Sequence, residues 1–255
     1  MLSDRQLRAF DRDGYLIVPG AVSRALVDRA LYAINHSLGF TGLPPDDLPR
    51  MRSQSYCDDV RGTPAAVDLV YRSAVWPAAE ALVGGGNLQP ATRAQVALRF
   101  PGHGGEKGVE QTGHLDGVGN GINGIPKGEF RRNFTMLAVI LLSDLPEPYM
   151  GNFTVWPGSH RTAEAFFRDA TPEVLRSGRP RYELPEPPVQ VTGRAGDLCL
   201  AHHQLWHGAA PNRSPHIRYA AIFRLRHAEV DTLGTDAMTD IWREFEPVRA
   251  AAAAV

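Results

Sequence analysis

The chain has 255 residues, 43% of them apolar and 22% charged, with a formal net charge of −1. That balance suits one sizeable domain with a buried core and gives no electrostatic ground for nucleic acid or an anionic membrane as main partner. Two cysteines, Cys57 and Cys199, argue against a disulfide framework and a Cys-based zinc site. The N-terminus shows no apolar leader and no run approaches about eighteen apolar residues, so a cytoplasmic protein is expected. Oligomeric state is not legible.

Taken in order, Ser3 or Asp4 can cap a short helix through Phe10, with Leu7 and Phe10 on its buried face. Asp13-Gly14 reads as a turn, and Tyr15-Leu16-Ile17-Val18 as a strand ended by Pro19-Gly20. Residues 23–38 predict an amphipathic helix, because Val27, Ala30, Leu31 and Ile34 recur at helical spacing. Residues 39–65 carry prolines and paired acids without a period and read as a loop over one mouth of a barrel. A second helix is expected over 64–82, stopped by Gly84-Gly85-Gly86.

From Leu88 the pattern turns to β. Residues 95–100 alternate, and 134–142 are almost wholly apolar, as in a strand buried on both faces. Further strands are expected at 151–156, 188–192, 197–203 and 217–225. A helical excursion over 163–177, a last helix over 235–245 and a frayed alanine tail at 250–254 complete the reading. Short strands after N-terminal helices predict a mainly β fold with flanking helices, a double-stranded jelly roll of cupin-like type. It forms a single domain over 1–255, helical to about residue 86, with the β core at about 87–228.

Within the loop-like stretch 102–128, which holds ten glycines, lies His114-Leu115-Asp116. On an extended strand, residues i and i+2 share a face. The His114 imidazole and the Asp116 carboxylate can therefore meet on one metal ion, as two corners of a 2-His-1-carboxylate site for non-haem Fe(II). A third corner is available from a His-rich stretch some ninety residues on, which holds His202, His203, His207 and His216.

Four segments in order carry a resemblance that narrows this choice. They are Phe10-Asp11-Arg12-Asp13-Gly14-Tyr15-Leu16-Ile17-Val18-Pro19-Gly20, His114-Leu115-Asp116, Pro157-Gly158-Ser159-His160, and the run from His207 to Ser214 followed by Arg218. The chain resembles the phytanoyl-CoA dioxygenase-like family of Fe(II)/2-oxoglutarate oxygenases. The resemblance implies His114, Asp116 and His207 as iron ligands. It implies Arg218, eleven residues after His207, as the clamp for the distal carboxylate of 2-oxoglutarate; a guanidinium fork can bind a carboxylate bidentately. It also implies O2 as co-reactant, with a small-molecule substrate oxidised as 2-oxoglutarate becomes succinate and CO2. Family members also desaturate, epimerise or cyclise. Asp116 argues against halogenation, in which the carboxylate position is vacated.

Other positions are expected nearby. Arg99 and Gln95 share a strand face and are candidates to touch cosubstrate, with an outward salt bridge the alternative for Arg99. Thr135 is a further candidate cosubstrate contact. Trp206, Phe134, Asn133 and Gln204 are the expected substrate neighbours. His202, His203 and His160 are read as packing or turn residues, and His227 as exposed. Where the family often has a small hydroxyl residue two after the distal His, this chain has Ala209. Two other readings stand beside the oxygenase: a cupin-like Zn(II) enzyme, which the same ligands could serve, and a non-catalytic binding protein on the same barrel.

Overall fold

The structure, a computed structural model, describes residues 2–119, 122, 125–127, 129–169, 183–234 and 236–254. Helix α1 (Asp4–Asp13) and strand β1 (Tyr15–Val18) meet at the Gly14 turn as the sequence predicts. Helix α2 spans Arg24–Thr41 with Val27, Ala30 and Ile34 buried. The stretch expected as loop holds instead a short 3-10 turn at Pro45–Asp47 and helix α3 (Leu48–Ser53). The helix expected over 64–82 is two, α4 (Pro64–Tyr71) and α5 (Val75–Val83). Pro77 explains the break. It has no N–H to offer the Ser73 carbonyl, and its ring would strike that carbonyl in a continuous helix. The Ser73 hydroxyl instead accepts the Val75 N–H at 3.1 Å.

Eight strands form two antiparallel sheets. They are β1, β2 (Gln95–Arg99), β3 (Met136–Leu141), β4 (Phe153–Val155), β5 (Val189–Gln190), β6 (Leu198–His202), β7 (His207–Ala209) and β8 (Arg218–Leu225). The five-stranded sheet has the order β1-β6-β3-β8-β2, and the three-stranded sheet β5-β4-β7. Period-2 alternation decides what each face meets. Leu16, Val96, Leu98, Met136, Ala138, Ile140, Leu198, Leu200, Ala221 and Phe223 share one core cluster with α1, α2, α4 and α5. The intervening Leu137, Val139, Cys199 and Ala201 pack with Phe153 and Val155 of the small sheet. Helices therefore cover one face of the large sheet, and the small sheet lies against the other.

Helix α6 runs Ser159–Asp169, starting earlier than expected; residues 170–177 of the predicted excursion lie outside the described residues. The expected helix over 235–245 is replaced by two single turns, Val230–Leu233 and Asp236–Thr239. The alanine tail is not frayed. It belongs to a helix, Glu246–Ala253, that buries Val248 and Ala251 and packs on α1. Among the described residues no helix is long and apolar enough to cross a membrane.

Candidate metal centre

Strand β7 is paired with β4 on one side, Val155 opposite His207. On its other side it meets the segment carrying His114. His114 N–H donates to the His207 carbonyl at 2.8 Å, and His207 N–H to the His114 carbonyl at 3.0 Å. This close approach needs a glycine at 208, because a Cβ there would lie 2.4 Å from the Thr112 carbonyl oxygen. The pairing brings the two imidazoles to 4.6 Å between ring centroids. His114 Nε2 lies 3.4 Å and His207 Nε2 3.9 Å from Asp116 Oδ1. The three candidate ligand atoms all fall within 4.8 Å of one another, and no other such cluster occurs among the described residues.

The electrostatics suit a cation. His207 Nδ1 lies 2.9 Å from the Leu205 carbonyl, which favours a proton on Nδ1 and leaves the Nε2 lone pair facing the other ligands. Burial above all, then the neighbouring His114, lowers the His207 pKa to about 4, so the imidazole is neutral, as a metal ligand must be. For Asp116, burial alone raises the pKa, but Arg224, the His114 hydrogen bond and His207 outweigh it and hold the carboxyl well below its usual range. Arg224 Nη2 donates to Asp116 Oδ2 at 3.0 Å, and its Nη1 to Gln95 Oε1 at 2.8 Å. This tether on the metal-facing carboxylate is absent from the sequence reading.

The cluster opens into a cavity of about 1020 Å³ between the sheets. Because β2 and β8 pair in register, with Gln95 opposite Ile222 and Arg99 opposite Arg218, Gln95, Arg99, Arg218 and Arg224 all line that cavity. Arg218 is 6% exposed. Its Nε donates to the Gly151 carbonyl at 2.8 Å and its Nη1 to the Ala97 carbonyl at 2.9 Å. Gly151 is required here, since a Cβ would lie 2.8 Å from that of Arg99 and 3.2 Å from that of Arg218. Burial, then Arg99, lowers the Arg218 pKa to about 9. Neither Arg99 nor Arg218 has a carboxylate partner among the described residues. The buried Tyr56 hydroxyl, also on the cavity wall, has no hydrogen-bond partner among the described residues. Buried cations without counter-charge are costly, so this end of the cavity is built to receive an anion. The donor set and the unpaired guanidiniums together fit Fe(II) and a dicarboxylate.

Asn133 and Phe134 line the cavity. Thr135 and Gln204 do not, and both expectations are corrected. The Thr135 hydroxyl is consumed by the His227 N–H at 2.9 Å, and the Gln204 amide donates to the Met238 carbonyl at 3.0 Å. Both side chains are buried away from the cavity. Trp206 packs with Leu115, Ala163 and Phe167 behind the metal cluster rather than on the cavity wall. His227 is buried, not exposed. His160 holds the Asp11 carbonyl at 3.1 Å and His202 the Ile241 carbonyl at 3.0 Å, both as packing residues. Arg132 turns from the cavity into a buried pair with Glu244, where its Nε also donates to His203 Nε2 at 3.1 Å.

Residues 10–220 match the family described as phytanoyl-CoA dioxygenase (PhyH). No curated protein matches the chain. Solved structures with a similar fold include the epimerase SnoN in complex with Fe3+, alpha ketoglutarate and nogalamycin RO, at 21% identity over 88% of this chain and 82% of that one, TM-score 0.58. HygX from Streptomyces hygroscopicus with nickel and 2-oxoglutarate bound is 22% identical over 88% and 86%, TM-score 0.55. EctD from S. alaskensis with 2-oxoglutarate and 5-hydroxyectoine is 19% identical over 90% and 77%, TM-score 0.56.

Proposed function

Because the chain belongs to the phytanoyl-CoA dioxygenase family of non-haem Fe(II)/2-oxoglutarate oxygenases, we propose that it couples decarboxylation of 2-oxoglutarate to the oxidation, most simply the hydroxylation, of a small-molecule substrate. His114, Asp116 and His207 would hold the iron. The observation that carries this reading is their convergence on the wall of the same cavity into which the unpaired Arg218 faces. When bound, iron and 2-oxoglutarate supply the oxidising chemistry, with O2 consumed and succinate and CO2 released. The chain's own residues orient the reactants. Leu205 fixes the His207 ring, Arg224 holds the outer oxygen of Asp116, and Arg218 with Arg99 receives the cosubstrate's distal carboxylate. Phe134 and Phe153 give the cavity apolar walls that limit water.

The opposed five- and three-stranded sheets support reading the core as a double-stranded β-helix within one domain spanning 1–255. Both cysteines are free, which supports a cytoplasmic setting.

The test is anaerobic addition of Fe(II) and then 2-oxoglutarate, followed by O2 and a substrate screen read as succinate. A visible charge-transfer band should form in the wild type. It should be absent in His207→Ala, whose far-ultraviolet circular dichroism stays native. Formation of the full band in His207→Ala would remove this imidazole from the ligand set. A wild type that binds iron but never turns over 2-oxoglutarate would return the Zn(II) or binding-protein readings.

A further inference from the structure

The charge on the cavity wall is out of proportion to the chain. The chain has 27 Lys and Arg against 28 Asp and Glu, yet among the described residues eight Lys and Arg side chains line the cavity against one carboxylate, Asp116. The metal ion and Arg224 answer Asp116. The inner pair Arg99 and Arg218 answers the cosubstrate. Arg61 is answered by Asp58, at 2.7 Å. That leaves a second, outer group of four: Arg52 on α3, Arg93 just before β2, and Lys127 and Arg131 on the glycine-rich segment that follows Asp116.

This outer group has a built setting. The two ends of the segment pair with each other, Gly119 N–H to the Glu129 carbonyl and Arg131 N–H to the Gly117 carbonyl, both at 2.8 Å. Gln54 Nε2, at the end of α3, donates to the Ile122 carbonyl at 3.0 Å and ties the two sides of the mouth together. Arg52 and Lys127 have no carboxylate partner among the described residues. Arg93 reaches only Asp58, at 3.4 Å, a carboxylate it shares with Arg61; Arg131 pairs with the exposed Glu129 at 2.7 Å. Solvent-exposed pairs of this kind are weak and yield readily to a better anion. Arg52 is also among the cations that, after burial and Arg99, lower the pKa of the neighbouring His103 to about 4. Clefts lined by one sign of charge concentrate ligands of the other.

We propose that the oxidised substrate is itself a small organic anion, whose carboxylate or phosphate group is held at the cavity mouth by Arg52, Arg93, Lys127 and Arg131, separately from the 2-oxoglutarate clamp. This rests on the oxygenase reading above for the word substrate, but the outer anion site can be measured without turnover.

The probes are inorganic pyrophosphate and phthalate. Each is titrated calorimetrically into anaerobic enzyme loaded with Fe(II) and saturating 2-oxoglutarate, so that the inner arginines are already occupied. At least one anion should bind the wild type, and its Kd should rise about tenfold with added sodium chloride. Arg52→Gln/Arg131→Gln should weaken binding at least about tenfold, and Arg52→Lys/Arg131→Lys should restore most of it. The 2-oxoglutarate charge-transfer band should be the same in all three proteins. Preference between the two probes tells phosphate from carboxylate. Failure of both anions to bind the loaded wild type, or equal binding to the Gln variant, overturns the proposal. If the charge-transfer band never forms, the oxygenase reading fails instead, and pyrophosphate titration of the metal-free protein and its Gln variant still decides the outer site.

Discussion

Two arginines on β8 illustrate how context sets the role of one side-chain type. Arg224 is 39% exposed and already committed, to Asp116 and to Gln95. Arg218 is buried, braced by two backbone carbonyls and without an anion. Only the second has both the need for a carboxylate and the fixed geometry to bind one bidentately. Arg218→Lys keeps the charge but cannot hold both carbonyls and still present a fork. It should raise the KM for 2-oxoglutarate at least about tenfold, the scale of one lost charge-assisted hydrogen bond. Fe(II) affinity should change little. Steady-state kinetics beside an iron titration checks this, and an unchanged KM would move the clamp to Arg99. The spacing of His207 and Arg218 was legible in the sequence. Arg224 and Tyr56 were not, because their partners lie far along the chain: Asp116 is 108 residues from Arg224, and Tyr56 is joined to β2 by its bridge to Val96. Thr135 and Gln204 were misread for the complementary reason. A polar side chain near a motif gives no sign in sequence of whether a backbone group has already claimed it.

Among the elements, strands were read well and the ends of helices poorly. Alternation on β2 and the apolar run of β3 report directly which faces are covered. The break between α4 and α5 turns on one proline whose neighbours are all helix-compatible. The alanine tail carries little hydrophobic signal, yet alanine has the highest helix propensity and suits a close helix contact. There Phe245 packs at a tilt on Phe10, 5.6 Å between ring centroids, and Val248 is fully buried. Ending the chain after Phe245 removes Val248 and Ala251 from the core that α1 shares. Loss of one buried valine and one buried alanine should cost about 2–4 kcal/mol, before the exposure of Phe10 is counted. Urea unfolding should show that loss as a lower midpoint with a similar slope. A truncated protein as stable as the full chain would mean that the helix only rests on the surface.

At the scale of the whole molecule, buried histidines set the response to acid. His160 is fully buried against α1, and burial, only partly offset by the Asp11 carbonyl, lowers its pKa to about 4. Burial likewise holds His202 and His203 well below the ordinary histidine value. The sign follows from proton counting. Above about pH 6.5 both folded and unfolded chains carry these rings neutral. Below it the unfolded chain takes up protons that the folded chain refuses, so stability falls as pH falls. Each such histidine contributes about 1.4 kcal/mol per pH unit, and for His160 the loss is complete near pH 4, at about 3 kcal/mol. Ordinary carboxylates titrate near pH 4, so the window between 6.5 and 5 largely isolates the histidines. Chelator in the buffer removes the further pH dependence of metal release. Urea unfolding at pH 7, 6 and 5 should show a steep decline for the wild type. His160→Asn should be less stable at pH 7, through lost packing, but its curve should fall less steeply. The gap between the two proteins should close by about 2 kcal/mol between pH 6.5 and 5. Parallel curves would mean that His160 charges within the folded state, and that the other histidines held low, His103, His202, His203 and His207, carry the acid sensitivity without it.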